Sequence, residues 1–247
     1  MAPQPDLSVV FPVFNEEENL PILLGEIAAA LHGSPWSWEV ISIDDGSSDG
    51  SLQVLRNLQG QYPSLRIITF EKNSGQTAAL DAGWRAARGT FVVSLDADLQ
   101  NDPADIPPMM RRLQETGNDM VIGVRVNRHD TWSRRMQSKI GNGVRNWITR
   151  DRITDTGCSL KLVRRQAVEG LQLYTGMHRF LPTLVRLQGY TVMEMPVNHR
   201  ARKFGVSKYG AMNRAFRGLA DCLAVRWMSK RILRYRVREE IAPSQSH

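Results

Sequence analysis

The chain of 247 residues is poor in several things, and each shortage closes a route. It has two cysteines, Cys158 and Cys222, far apart in sequence. That gives no disulfide framework and no zinc spacing, so a reducing compartment is the default. No apolar run approaches the roughly 20 residues that a membrane span needs. The start, "MAPQPDLSVV", lacks the basic region and apolar stretch of a signal peptide. Internal repeats and low-complexity tracts are missing too. These shortages predict a cytoplasmic protein without a transmembrane helix. The five histidines show no metal-ligand spacing, and His178 and His199 stand apart from other ligand types. No RNA- or DNA-binding motif is present, so nucleic acid is not an expected partner.

What remains is an ordinary globular composition, 42% hydrophobic and 23% charged, which excludes wholesale disorder. The net charge of +7 is unevenly placed. His199 to Glu240 holds twelve Lys/Arg against three Asp/Glu, so the rest is slightly acidic. A basic C-terminal region suits phosphate of some kind, whether lipid, substrate or nucleic acid, or is simply a solvated helix.

The first half alternates two patterns. "LSVVFPV", "WEVISID", "LRIITF", "TFVVSLD" and "DMVIGVR" read as strands. Between them, Leu20, Leu23, Leu24, Ile27 and Leu31 fall at helical spacing, and "GSLQVLRNL" and "GQTAALDAGWRAAR" read likewise. Strands alternating with helices predict a mostly parallel sheet covered on both faces. In such sheets ligands sit beyond the carboxyl ends of the strands. Polar clusters follow three strands there: "NEEEN", "DDGSSDG" and "DADLQND". In the second half "TWSRRMQSKIGNGVRNWIT" and "HRFLPTLVRLQG" read as helices, with short strands in "SLKLVRR" and "YTVMEMPV". A final helix, about 210–228, carries Met212, Phe216, Leu219, Leu223 and Trp227 as an apolar stripe, with Arg214, Arg217 and Asp221 opposite. Such a stripe either packs back on the domain, forms a dimer, or lies at an anionic membrane surface beside the basic tail.

Paired acids off a strand end suit a hard divalent ion, Mg²⁺ or Mn²⁺, shared with substrate phosphates. Asp45 beside Gly46 suits a ligand, and Asp49 suits a helix cap. Asp102 and Asp105 read as caps of the helix that follows. Asp155, in "DTGCS", is either a base for a hydroxyl acceptor or a turn residue. Lys208 is either a ligand contact or a solvated loop lysine. Arg125, Arg134, Arg135 and Arg179 are candidates for an acceptor phosphate, and Cys158 reads as a small buried residue.

Five stretches in order, "FPVFNEEENL", "IDDGSSDGS", "NSGQTAALDAG", "SLDADLQ" and "HRARKFGVSKYG", resemble family 2 glycosyltransferases of the GT-A fold. The similarity runs from about residue 7 to 209 and is strongest to dolichyl- or polyprenyl-phosphate sugar synthases. It implies a GT-A domain over 1–208 and an amphipathic basic helix and tail over 209–247. It implies an inverting, metal-dependent transfer from a nucleoside-diphosphate sugar, of GDP-mannose or UDP-glucose type, to a polyprenyl phosphate. Pro12, Phe14, Glu16, Ile43, Asp45, Lys72, Asp96 and Ala97 would hold the nucleotide sugar. Phe14 stands where Tyr is common, one hydroxyl fewer. Asp98 and Gln100 would hold the metal, and Arg202 and Lys208 would clamp the diphosphate. Many relatives carry C-terminal membrane spans; this pattern instead implies a peripheral protein at the inner face of a membrane, or docked on a membrane partner or a second copy. The alternatives are a family 2 transferase acting on a saccharide or lipid hydroxyl, with Asp155 as base, and a phosphate- or nucleic-acid-binding protein led by the basic tail.

Overall fold

The computed structural model describes residues 4–126, 132–201, 211–233 and 238–239, with 132–140 and 211–217 described by backbone alone. In chain order the elements are β1 (Leu7–Val13), α1 (Leu20–Leu31), β2 (Trp38–Asp44), α2 (Ser51–Gln59), β3 (Leu65–Thr69), α3 (Gln76–Ala86) and β4 (Phe91–Ser94). There follow α4 (Ile106–Thr116), β5 (Met120–Arg125), α5 (Trp132–Thr149), β6 (Lys161–Arg164), α6 (Leu181–Leu187), β7 (Val192–Val197) and α7 (Ala211–Arg231).

The strands form one sheet in the order β3-β2-β1-β4-β6-β5-β7. β1, β2, β3 and β4 run parallel, as do β5 and β7. Only β6 is antiparallel to its neighbours, β4 and β5. The expected mostly parallel sheet is present, with β6 returning the chain through its middle. The strand order turns outward on either side of β1 and β4, so their carboxyl ends open a crevice where a ligand fits.

Two apolar layers cover the two faces. One joins α1, α2 and α4 to Val9, Phe11 and Val13 of β1. The other joins α3 and α6 to Val10 of the same strand. The alternation along β1 follows from side chains pointing to opposite faces. In α1 the buried residues are Leu20, Leu23, Leu24, Ile27 and Leu31, the stripe read from sequence. Each such side chain contributes roughly 1.5–3 kcal/mol by leaving water.

The C-terminal helix is oriented differently from a simple core-facing stripe. Cys222 and Val225 of α7 are buried in the second apolar layer, while Leu219, Leu223 and Trp227 are 44%, 56% and 63% exposed. The apolar stripe therefore faces outward where its side chains are described. Among the described residues no helix is long and apolar enough to cross a membrane.

Candidate active site

A cleft of about 330 Å³ lies at the carboxyl edge of the sheet. Pro12, Val13, Phe14 and Glu16 form one wall, with Asp45, Asn73 and Gln76 beside them. Asp96, Ala97, Asp98, Gln100 and Asn101, after β4, line its floor, with Arg125, Gly157, Ser159 and His199 from the second half of the chain. Parallel strands deliver their ends to one edge, which is why three acidic clusters distant in sequence meet here.

The loops that follow β1 and β2 are knitted together. Asn15, with φ of 56°, donates its N–H to Ser47 Oγ and accepts from the Ser48 N–H. The Glu16 N–H donates to Ser51 Oγ at 2.8 Å. Asp49 accepts from the N–H of Ser51, the first residue of α2, but the N-cap is Gly50, so Asp49 closes the turn before the helix and is not its cap. Asp45 lines the cleft, and its carboxylate accepts from the N–H groups of Ser74 and Gly75 and from Asn73 Nδ2. It thereby fixes the loop between β3 and α3. Gly46, with φ of 69°, sits under that loop, where a Cβ would lie 2.6 Å from the Lys72 carbonyl carbon. Only glycine meets both demands.

The "DAD" floor is held from two directions. Gln76, in the first turn of α3, donates from Nε2 to Asp96 Oδ1 at 2.7 Å. Asp98, 6% exposed, accepts from the Gln100 N–H at 3.2 Å. That short turn puts Leu99 at φ of 61°, a conformation costing of order 1–3 kcal/mol in a residue with a side chain. The segment after β7 pairs with this turn. The Arg200 N–H donates to the Gln100 carbonyl, and Asn101 bridges to His199. The pairing is what carries His199 into the cleft. Arg200 is itself pinned between Glu26 and Asp102 at 2.7 Å each.

The donor set suits a hard cation. Asp98 and Gln100 offer oxygens beside Asp96 and His199 in one cleft. Among the described residues no group of three His, Cys, Asp or Glu could cage an ion without help. Carboxylate and amide oxygens are the ligand type that Mg²⁺ and Mn²⁺ prefer.

Arg125, the last residue of β5, is gripped by Asp155 with Nε–Oδ2 2.7 Å and Nη2–Oδ1 2.8 Å. Behind it Lys161 of β6 is buried and donates to the Cys158 carbonyl. Burial pushes its ammonium well below the usual lysine range and pushes the Cys158 thiol up. His178 bonds Thr77 Oγ1 at 2.7 Å. Burial, with the nearby Lys161 and Arg179 cations, lowers its pKa to about 3.

Of the residues expected at the site, Pro12, Phe14, Glu16, Asp45, Asp96, Ala97, Asp98 and Gln100 line the cleft. Ile43 is placed instead in the apolar layer under α3, because strand parity turns its side chain to that face. Lys72 is exposed, and its neighbour Asn73 is the one that lines the cleft. Asp155 lies behind Arg125. Arg179 pairs with Asp221 of α7 at 2.9 Å. Asp102 caps the 3-10 turn Pro103–Asp105 through the Ala104 N–H. Asp105 makes no such cap and accepts from the Asn198 N–H at 2.8 Å. Arg202 and Lys208 lie outside the described residues, as do the side chains of Arg134 and Arg135. Sequence spacing missed Gln76 and His199. The first carries a weak signal, a polar residue opening a helix at the ligand edge. The second carries none, since it meets 98 to 101 through a bridge outside the main strands.

The sequence model of "Glycosyl transferase family 2" matches residues 8–171. A dodecaprenyl-phosphate galacturonate synthase of Rhizobium johnstonii is 40% identical over 237 residues, 94% of this chain and 69% of that protein. An undecaprenyl-phosphate 4-deoxy-4-formamido-L-arabinose transferase of Aeromonas hydrophila is 38% identical over 84% of this chain and 64% of its own length. The chain thus spans about two thirds of the relatives it matches. Among solved structures, a mannosyltransferase of Pyrobaculum calidifontis in complex with GDP-mannose and Mn²⁺ superposes with TM-score 0.62 at 20% identity, over 98% of this chain and 67% of that one. Glucosyl-3-phosphoglycerate synthase of Mycobacterium tuberculosis, with Mn²⁺, UDP and its product, gives 0.67 at 16% identity, over 93% and 81%. The fold is that of the GT-A enzymes.

Proposed function

The chain belongs to glycosyl transferase family 2 and is a glycosyltransferase, and from that premise we propose that it moves a sugar from a nucleoside-diphosphate sugar to a polyprenyl phosphate, with inversion. The observation that carries this reading is that one cleft is lined by Asp96, Asp98 and Gln100 together with Arg125: the acids would take the donor diphosphate and Arg125 the acceptor phosphate. Both similar curated proteins are named for sugar transfer to a polyprenyl phosphate, which supports the acceptor class.

In this reading Asp98 and Gln100 hold a divalent cation, which when bound offsets the charge gathering on the diphosphate. Asp96, steadied by Gln76, takes the ribose or diphosphate side. Pro12, Phe14, Glu16 and Ala97 wall the nucleotide, and Asp45 shapes the loop against it. Arg202 and Lys208 act as the cationic clamp on the diphosphate. An acceptor phosphate oxygen forms a bond to the anomeric carbon as the bond to the diphosphate breaks, and the electron pair leaves with the nucleoside diphosphate. A phosphate ester with a second pKa of about 6 is already ionised at neutral pH, so the step needs no proton acceptor.

The lipid acceptor also gives the outward stripe of α7 a purpose. Leu219, Leu223 and Trp227 are exposed, and Trp147 of α5 is 82% exposed. Lys230 and Arg231 end α7, and Arg150 and Arg152 follow α5, all exposed. Exposed apolar side chains and cations on two neighbouring helices suit an anionic bilayer at the inner face of a membrane, with roughly 1 kcal/mol from each cation near the surface. A membrane partner or a second copy would instead bind without lipid.

The test is a donor panel of GDP-mannose, UDP-glucose and UDP-galacturonate with undecaprenyl phosphate and Mn²⁺, read by mass spectrometry of the lipid. A mild-acid-labile glycosylated lipid phosphate is the expected product. Sugar appearing only on hydroxyls would sink the reading.

A further inference from the structure

The surroundings of Asp155 give it a role other than base or simple turn residue. Its two oxygens accept four hydrogen bonds from Arg125 and Gly157. Oδ2 takes the Arg125 N–H at 3.2 Å and Nε at 2.7 Å; Oδ1 takes Arg125 Nη2 at 2.8 Å and the Gly157 N–H at 3.2 Å. One carboxylate thus grips both the backbone and the side chain of the same arginine. Asp155 is buried, 6% exposed, and Arg125 is mostly covered, 16% exposed. A third surface closes on the guanidinium: a Cβ at Gly157 would lie 2.7 Å from Arg125 Nη2. Bidentate pairing sets the plane of an arginine, and the Gly157 backbone limits its travel.

The clamp matters because of what shares the cleft. Arg125 lines it together with Asp96 and Asp98. A long cationic side chain without a fixed partner would swing toward those carboxylates. It would then compete with the cation and donor for them and leave the acceptor end without its charge. A general base needs a lone pair facing the proton it takes, within about 2.6–3.2 Å. The Asp155 carboxylate is turned to Arg125 and the Gly157 N–H instead, and Arg125 and Gly157, not Asp155, line the cleft.

We infer that Asp155 is a positioning residue for the acceptor: it acts through Arg125, presenting a rigid guanidinium to the acceptor's anionic group, and takes no proton. The inference rests on the phosphate-acceptor reading above. It also bears on acceptor choice, since a site so built favours an acceptor that arrives ionised over one that must be deprotonated.

A double-mutant cycle of Asp155→Asn and Arg125→Met tests it, with Asp155→Glu as the conservative variant. UDP or GDP binding with Mn²⁺, by calorimetry, checks that the donor end stays intact. Misplacing a group by about 1 Å costs on the order of 10²-fold, so each single variant should lose about that in acceptor kcat/KM, with donor KM nearly unchanged. The double variant should be no worse than Arg125→Met, Asp155→Glu should recover part of the loss, and the pH–rate profile should keep its shape. Multiplicative losses, or loss of the acidic limb of the profile in Asp155→Asn, would overturn the positioning role in favour of a base. Should Asp155→Asn fail to fold, Gly157→Ala replaces it: an acceptor-selective loss supports the clamp, and unchanged acceptor kinetics refute it. A wild type that ignores lipid phosphate overturns the acceptor reading alone. The cycle is then run on the hydroxyl acceptor, where multiplicative losses again mean a base.

Discussion

Gln76 Nε2 donates to Asp96 Oδ1 at 2.7 Å, tying the first turn of α3 to the acidic floor after β4. The bond leaves Asp96 oriented before any ligand arrives. Replacing Gln76 by Leu should raise the donor KM more than it lowers kcat. A loss of about 1 kcal/mol, the worth of one such bond, corresponds to roughly fivefold. Steady-state kinetics with the donor varied would show it, and an unchanged donor KM would mean that Asp96 needs no support.

Asp98 and Asp102 lie in one short acidic stretch and should behave oppositely. Asp98→Asn should cost on the order of 10²–10³ in kcat, by analogy with a lost charge-stabilising group. Asp102→Asn removes an ion pair to Arg200 and weakens a cap. It should cost about 1 kcal/mol of stability with far smaller kinetic effect. Parallel urea melts and metal-titrated kinetics separate the two.

Gly46→Ala demands a methyl where the Lys72 carbonyl carbon sits 2.6 Å away, at φ of 69°. The loop held by Asp45 must shift. We expect a loss of about 1–3 kcal/mol in stability together with weaker nucleotide binding. Calorimetry of UDP or GDP binding reads the second effect, and intact binding would mean that this loop does not touch the nucleotide.

His178 is held neutral, with a pKa of about 3. Its unfolded value is near 6.5, so the unfolded chain binds the extra proton first. Stability from this residue is whole above about pH 6.5 and falls as pH drops toward 3, by at most about 1.4 kcal/mol per pH unit. His178→Gln cannot bind that proton. The difference in stability between wild type and variant should therefore shrink from pH 7 to pH 4, measured by denaturant melts. A difference that grows or stays flat would count against the burial effect.

Trp147 and Trp227 lie on neighbouring helices, both exposed. Replacing both with Ser should change stability within about 0.5 kcal/mol, as for other surface sites. Co-sedimentation with phosphatidylglycerol vesicles should fall severalfold. Unchanged sedimentation, or a loss of self-association with no lipid effect, would assign the stripe to protein contact.

Much of this was legible in the chain itself. Period-two and helical spacings gave β1 through β5 and the buried stripe of α1, because those segments bury one face each and local pattern follows burial. Strand alternation also gave the sheet edge on which Asp45, Asp96, Asp98 and Gln100 meet. The eight expected residues that line the cleft lie at or just after strand ends in sequence, so a topological rule was enough to gather them. Ile43 shows the limit of that rule, since one step along β2 turns a side chain from ligand edge to core.

Three things needed the tertiary structure. His199 reaches the cleft by a bridge to Asn101, nearly a hundred residues away. Asp155 meets Arg125 because β6 runs backward between β4 and β5, so its partner is set by topology and not by spacing. The stripe on α7 faces outward because Cys222 and Val225, one step round the helix, fill the space beneath. A sequence determines which faces are apolar and which loops are acidic, because those follow from local periodicity. It does not determine which distant side chains satisfy one another, because each buried charge takes the partner that packing brings within about 3 Å.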